Sequence, residues 1–111
     1  MATFSSHLLN SVNGTHANDV VVIIYKIKSN GEKKVFYETK TDSKGRISKE
    51  LILNDEDCRS EYEMVCKTGD YFSEKKIISE IVVKFKMPNP NKKYHIPIII
   101  SPNGYSIWWS D

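Results

Sequence analysis

The twenty residues from Lys92 to Asp111 read KKYHIPIIISPNGYSIWWSD, and the fold is decided by what the run from Tyr94 to Ser106 can be. Tyr94-His95-Ile96-Pro97-Ile98-Ile99-Ile100 is short, rich in β-branched residues and closed by the turn signal Ser101-Pro102-Asn103-Gly104, which describes a buried strand. Tyr105-Ser106-Ile107-Trp108-Trp109 then reads as its return strand. Pro97 has no N–H to give to a ladder, so its strand is expected to be an edge locally or to turn that position outward. An unprotected apolar edge invites pairing with another chain. His95 in apolar surroundings loses its charge unless it finds a partner, and Trp108 and Trp109 would be frayed and wet without cover. The tail is therefore expected to be an interface with other subunits.

Working back from this hairpin, the apolar period is two almost throughout. Val20 to Ile27, VVVIIYKI, is apolar on both faces, as in a strand covered on both sides. Asn30-Gly31 supplies a hairpin turn into KVFYETKT. Asp42-Ser43-Lys44-Gly45 turns the chain again before RISKELIL alternates, and NDEDCRSE (54–61) reads as a polar loop. YEMVCK places Tyr62, Met64 and Cys66 on one face; EIVVKFKM sets Ile81, Val83, Phe85 and Met87 inward with Lys84 and Lys86 outward. Only GDYFSEKKII (69–78) has a helical look, about two turns of it. Roughly eight short strands, with turn signals about every ten residues, argue for an antiparallel sandwich or barrel.

The bulk numbers narrow the function. A chain of 111 residues, 40% hydrophobic and 27% charged, supports one domain spanning 1–111. Sixteen basic against fourteen acidic residues give only +2, and the lysine pairs at Lys33-Lys34, Lys75-Lys76 and Lys92-Lys93 are scattered, so no nucleic-acid partner is expected. MATFSSHLLNSVNG lacks the basic start and apolar stretch of a secretory signal, and no run approaches the roughly 18 apolar residues of a membrane span. A soluble, cytoplasmic protein is expected, without a membrane partner; Ser110-Asp111 is not a peroxisomal tripeptide. Cys58 and Cys66 would then stay reduced. Their spacing matches no zinc pattern, and Cys66 reads as a small buried hydrophobe. No metal or cofactor is called for.

Three separated segments resemble the signatures of one family, the transthyretin-related 5-hydroxyisourate hydrolases. Tyr94-His95-Ile96-Pro97-Ile98-Ile99-Ile100-Ser101-Pro102-Asn103-Gly104-Tyr105-Ser106 follows the signature near the family's C-terminus. Ser5-Ser6-His7-Leu8-Leu9-Asn10 and Gly14-Thr15-His16-Ala17 are similar to its first signature, Ser-x-His-Val-Leu-Asp with a Gly-x-Pro-Ala turn. Thr41-Asp42-Ser43-Lys44-Gly45-Arg46 matches its Thr-x-x-x-Gly-Arg. YEMVCKTGDYF resembles the strand leading into the family's single short helix. The resemblance implies an all-β, eight-stranded, two-sheet antiparallel sandwich with one short helix. It also implies a homotetramer, built as a dimer of dimers around a central channel, in which neighbouring subunits cover the isoleucines and tryptophans.

The chemistry the resemblance implies is the opening of a lactam-like ring, in an oxidised urate, by water attack on a carbonyl. That needs a base for the water, a cation for the developing oxyanion and an acid for the departing nitrogen. Carried over residue by residue, His7 and His95 are the catalytic histidine pair, and Arg46 is the catalytic cation that also holds the substrate. Imidazole suits the first task because its pKa lies near neutrality, and the guanidinium fork suits a carbonyl-rich purine edge. Trp108, at the family's Tyr position, offers a wall on which a flat purine could stack. Ser106 is a candidate support, and His16, where the family often has Pro, reads as a surface residue. Lys93 stands where many members have another His. The tail departs from the family's Tyr-Arg-Gly-Ser: Trp109, Ser110 and Asp111 remove a positive charge and add a carboxylate. The alternative reading is a non-catalytic carrier of a flat aromatic ligand in the same channel, although the vertebrate hormone carrier of this superfamily lacks the His pair and the Arg. A third is a structural or protein-interaction sandwich without a small-molecule site.

Overall fold

The period-two patterning folds into two sheets that close over one core. The computed structural model describes residues 1–72 and 77–110. One sheet carries β1 (Ala2–Asn10), β2 (Thr15–His16), β5 (Arg46–Leu51), β8 (Lys93–Ser101) and β9 (Gly104–Ile107). The other runs in the order β4 (Lys33–Lys40), β3 (Val21–Ile27), β6 (Glu61–Cys66) and β7 (Ile81–Lys86). The inner face of β1 is Ala2, Phe4, Ser6, Leu8 and Asn10, every second residue, and that of β8 is Tyr94, Ile96, Ile98 and Ile100. Across the interlayer they meet Val22 and Ile24 of β3, Tyr62, Met64 and Cys66 of β6, and Ile81 and Met87. Each fully buried side chain of this size contributes about 1.5–3 kcal/mol on leaving water. The expected inward faces of the YEMVCK and EIVVKFKM strands are those observed, and Ile23 is only 8% exposed on the second face of β3. Burial pushes the Cys66 thiol up to about 12, as befits a hydrophobe, and both Cys58 and Cys66 are free.

Three details go beyond the alternation. First, β1 is central to its sheet: β5 and then β2 flank one side of it antiparallel, while β8 lies parallel to it on the other, from Thr3 beside Lys93 to Asn10 beside Ile100. Among the described residues the sandwich is thus antiparallel apart from one parallel pair. Second, β8 is paired on both sides, and Pro97 sits where its partner strand gives out. β9 pairs with it only from Ile98 opposite Ile107 onward, and the Pro97 carbonyl accepts from Trp108 N–H at 3.4 Å. A strand residue points its N and C=O to the same side, so the missing N–H of Pro97 faces the tail and ends that ladder. The tail returns one step later, where Ser110 N–H donates to the His95 carbonyl at 2.9 Å.

Third, the stretch read as a polar loop contains a helix, α1 (Asp55–Arg59). The Asn54 side chain accepts from Asp57 N–H, and the Asp57 carboxylate accepts from Asn54 N–H, a reciprocal cap. Lys26 on β3 pins it through Glu56 and Asp57. The expected helix is present in part as α2 (Thr68–Tyr71); residues 73–76 of that expectation lie outside the described residues. No helix among the described residues is long and apolar enough to cross a membrane.

Candidate functional site

Strand alternation puts His7, Arg46 and His95 on one surface, the outer face of the β1 sheet. On β1 the outward residues are Thr3, Ser5, His7 and Leu9. His7 is the register partner of Arg46 on β5, and Ser5 that of His95 on β8. Directly opposed residues in a ladder hold their Cβ atoms about 4.5–5.5 Å apart. Three strands that are distant in sequence therefore bring a cation and two imidazoles around one strand segment.

The Thr41–Arg46 segment owes its shape to the turn chemistry. The buried Thr41 hydroxyl donates to the Ala17 carbonyl and accepts from Val20 N–H, tying this loop to the one after β2. The Asp42 carboxylate accepts from the N–H groups of Lys44 and Arg46, each at 2.9 Å, and those bonds hold it below the usual carboxylate range. Gly45 has φ +70°, and a Cβ there would collide with the Leu8 carbonyl oxygen. Only glycine lets this backbone lie against β1, where Leu8 N–H donates to the Gly45 carbonyl at 2.8 Å. The next residue, Arg46, is thereby delivered beside His7.

Two further residues join the cluster. Ser5 Oγ lies 2.8 Å from His95 Nδ1, fixing the ring. Ser106, the expected support, stands opposite Ile99 instead, farther along the same sheet. His16, read as a surface residue, is exposed, and it is also bonded: its Nδ1 is 3.0 Å from His7 Nε2, with ring centroids 5.1 Å apart. It pairs with Leu9 across the β1–β2 ladder and so reaches His7 diagonally. Ser5 was visible as the Ser of the Ser-x-His signature, whereas no local pattern announces His16. Burial, then the charges of Arg46, His16 and His95, hold His7 below the ordinary imidazole pKa, against an opposing hydrogen bond with the Lys44 backbone. His7 therefore favours its neutral, proton-accepting form. Among the described residues, no three His, Cys, Asp or Glu side chains are arranged to hold a metal ion.

Trp108 stands opposite Pro97, to whose carbonyl its N–H donates at 3.4 Å, and Pro97 is in turn the β8 register partner of His7. Trp108 and Trp109 line a groove of about 510 Å³ with Val83, Phe85, Tyr94 and Ile96, at the open edge between the sheets. Trp109 also lies under the Lys92 ammonium, 4.8 Å from its ring centroid. Both tryptophans remain about half exposed, at 46% and 54%. Asp111 lies outside the described residues.

Comparison with known proteins agrees with the fold. The structure resembles a transthyretin from Sparus aurata, with a TM-score of 0.85, 21% identity, and coverage of 96% of this chain and 95% of that one. It also resembles a 5-hydroxyisourate hydrolase from Klebsiella pneumoniae, with a TM-score of 0.83 and 23% identity over the full length of both. In sequence it is 30% identical to the 5-hydroxyisourate hydrolase of Halalkalibacterium halodurans, over 94% of this chain and 93% of that protein. It is 35% identical to that of Salmonella dublin, over 94% of this chain and 77% of that protein. The model of the HIUase/Transthyretin family matches residues 4–109, so the chain belongs to that family.

Proposed function

We propose that this protein is a hydrolase that opens the ring of 5-hydroxyisourate to the ureidoimidazoline carboxylate, a step of urate catabolism. The observation that supports the reading is the meeting of His7, Arg46 and His95 on one sheet face, from three distant segments. In it, neutral His7 serves on the side of the attacking water, and its lowered pKa favours that role over a proton donor's. Arg46 offers guanidinium N–H groups to the carbonyl that becomes an oxyanion. His95, steadied by Ser5, completes the pair and returns a proton to the departing nitrogen. We place this chemistry in a homotetramer, with the outer face of the β1 sheet lining a channel between copies. Trp108, opposite Pro97 beside His7, is proposed as the wall on which the flat ring stacks.

The test is the ultraviolet decay of freshly generated 5-hydroxyisourate with and without the protein. The wild type should accelerate it, and His7→Ala, Arg46→Ala and His95→Ala should each lower the rate at least about a hundredfold, the scale for a positioned acid–base group or oxyanion donor. Full turnover in all three variants would move the site elsewhere. A wild type with no rate above background, together with quenching of tryptophan fluorescence by flat aromatic compounds, would favour the carrier reading instead.

A further inference from the structure

His7 does not present its Nε2 to open space, because His16 Nδ1 occupies that direction at 3.0 Å. Two ring nitrogens at this distance need one N–H and one lone pair between them, so both rings cannot be cations in this arrangement. Three positive or potentially positive groups face His7, Arg46 on β5, His16 on β2 and His95 on β8, opposed by a hydrogen bond with the Lys44 backbone. The bond to the Lys44 backbone uses the one N–H of the neutral His7 ring, so its Nε2 carries the lone pair and His16 supplies the N–H of the contact. The other nitrogen of His16, Nε2, then carries a lone pair. His16 is exposed, and this nitrogen has no hydrogen-bond partner among the described residues.

Within the hydrolase reading, on which this inference rests, we propose that the proton of the attacking water is taken up by the His7–His16 pair as a unit, at Nε2 of His16. The water oxygen keeps the electron pair of the broken O–H bond and bonds to the substrate carbonyl carbon. The proton goes to His16 Nε2, and the resulting imidazolium is held by its Nδ1–H bond to the lone pair of His7 Nε2. When the oxyanion pair re-forms the carbonyl and the ring C–N bond breaks, the C–N pair stays on nitrogen and takes a proton from His95, which recovers one from the His16 imidazolium, so the protein ends with no added charge. His7 thus acts behind His16, as an acceptor that steadies a cation, and His16 is a catalytic residue in a position where related sequences often carry proline.

His16→Ala removes both the proton acceptor and the contact, whereas His16→Gln keeps an N–H donor for His7 but cannot take up a proton. Both are expected to lower the rate of 5-hydroxyisourate decay about a hundredfold, with circular dichroism unchanged. A wild-type rate in His16→Gln would reduce His16 to a positioning role and overturn the proposal, as would a wild-type rate in both variants. The imidazole ¹⁵N shifts of His7, followed by NMR against pH without substrate, give a readout that does not depend on the hydrolase reading. Removing His16 should move the His7 titration up toward the ordinary imidazole value. Titration of His7 that ignores His16→Ala would overturn the pairing itself. Absence of hydrolysis in the wild type, with the NMR coupling present, would defeat the hydrolase reading and with it the proton uptake, while leaving the pair in place.

Discussion

A single imidazole on β1 carries the electrostatic signature of the site. His7 sits under partial burial beside Arg46, His16 and His95, and all of these disfavour its cation. In the unfolded chain it titrates near 6.5, and in the folded protein lower. Between those two values the unfolded state binds more protons, so stability rises with pH there. The contribution of His7 is therefore intact above about 6.5 and declines as pH falls through that window toward the folded value. Urea midpoints measured at pH 7.5 and 5.5 should show wild type losing more on acidification than His7→Gln. Equal losses would assign the acid sensitivity to other groups. His7, Arg46 and His95 were named through the resemblance to the family signatures; the period of two adds only the face that each takes, because each lies in a regular strand. His16 lies in a two-residue strand after a turn. Its direction depends on how closely the Gly45 backbone approaches, which no local pattern encodes.

Among the elements, the Asp42–Gly45 turn does most to position chemistry. Gly45→Ala would meet both an unfavourable φ of +70° and the Leu8 carbonyl, which is backbone and cannot step aside. The expected cost is about 1–3 kcal/mol, read as a lowered urea midpoint. A fall in hydrolysis rate larger than the loss of folded protein should accompany it, since Arg46 follows directly. An unchanged midpoint would mean that the turn refolds around the methyl group without strain. The strands and most turns were legible because Asn30-Gly31 and the apolar alternation act locally; Gly31, at φ +85°, sits as that turn requires. Partnership was not legible in the same way. That β8 lies parallel to β1 depends on how the chain crosses between the sheets, and α1 has only five residues, too few for an apolar period to register. Its cap, Asn54 with Asp57, was the one available clue.

At the scale of the molecule, the open edge tells what one chain lacks. β7 and β9 end their respective sheets with no further strand beside them among the described residues, and Trp108 and Trp109 stand half exposed next to the groove along β7. Such edges and patches are normally closed by symmetric copies. Light scattering at micromolar concentration should give four times the mass of the chain; a monomer would rule out this account of the tail. The parallel β1–β8 pair has a consequence in time as well as in space. Ser5 and His95 are 90 residues apart, whereas β3, β4, β6 and β7 pair only with one another. During synthesis that second sheet is fully available once residue 86 has left the ribosome. β1 must wait with one long edge unpaired, and distant pairings of this kind are slow to close. The nascent chain thus passes through an interval in which β1, already bearing His7, is an open template for any neighbouring strand. That interval ends only when β8, through Ser101, is available to pair along β1 and seat His95 beside Ser5.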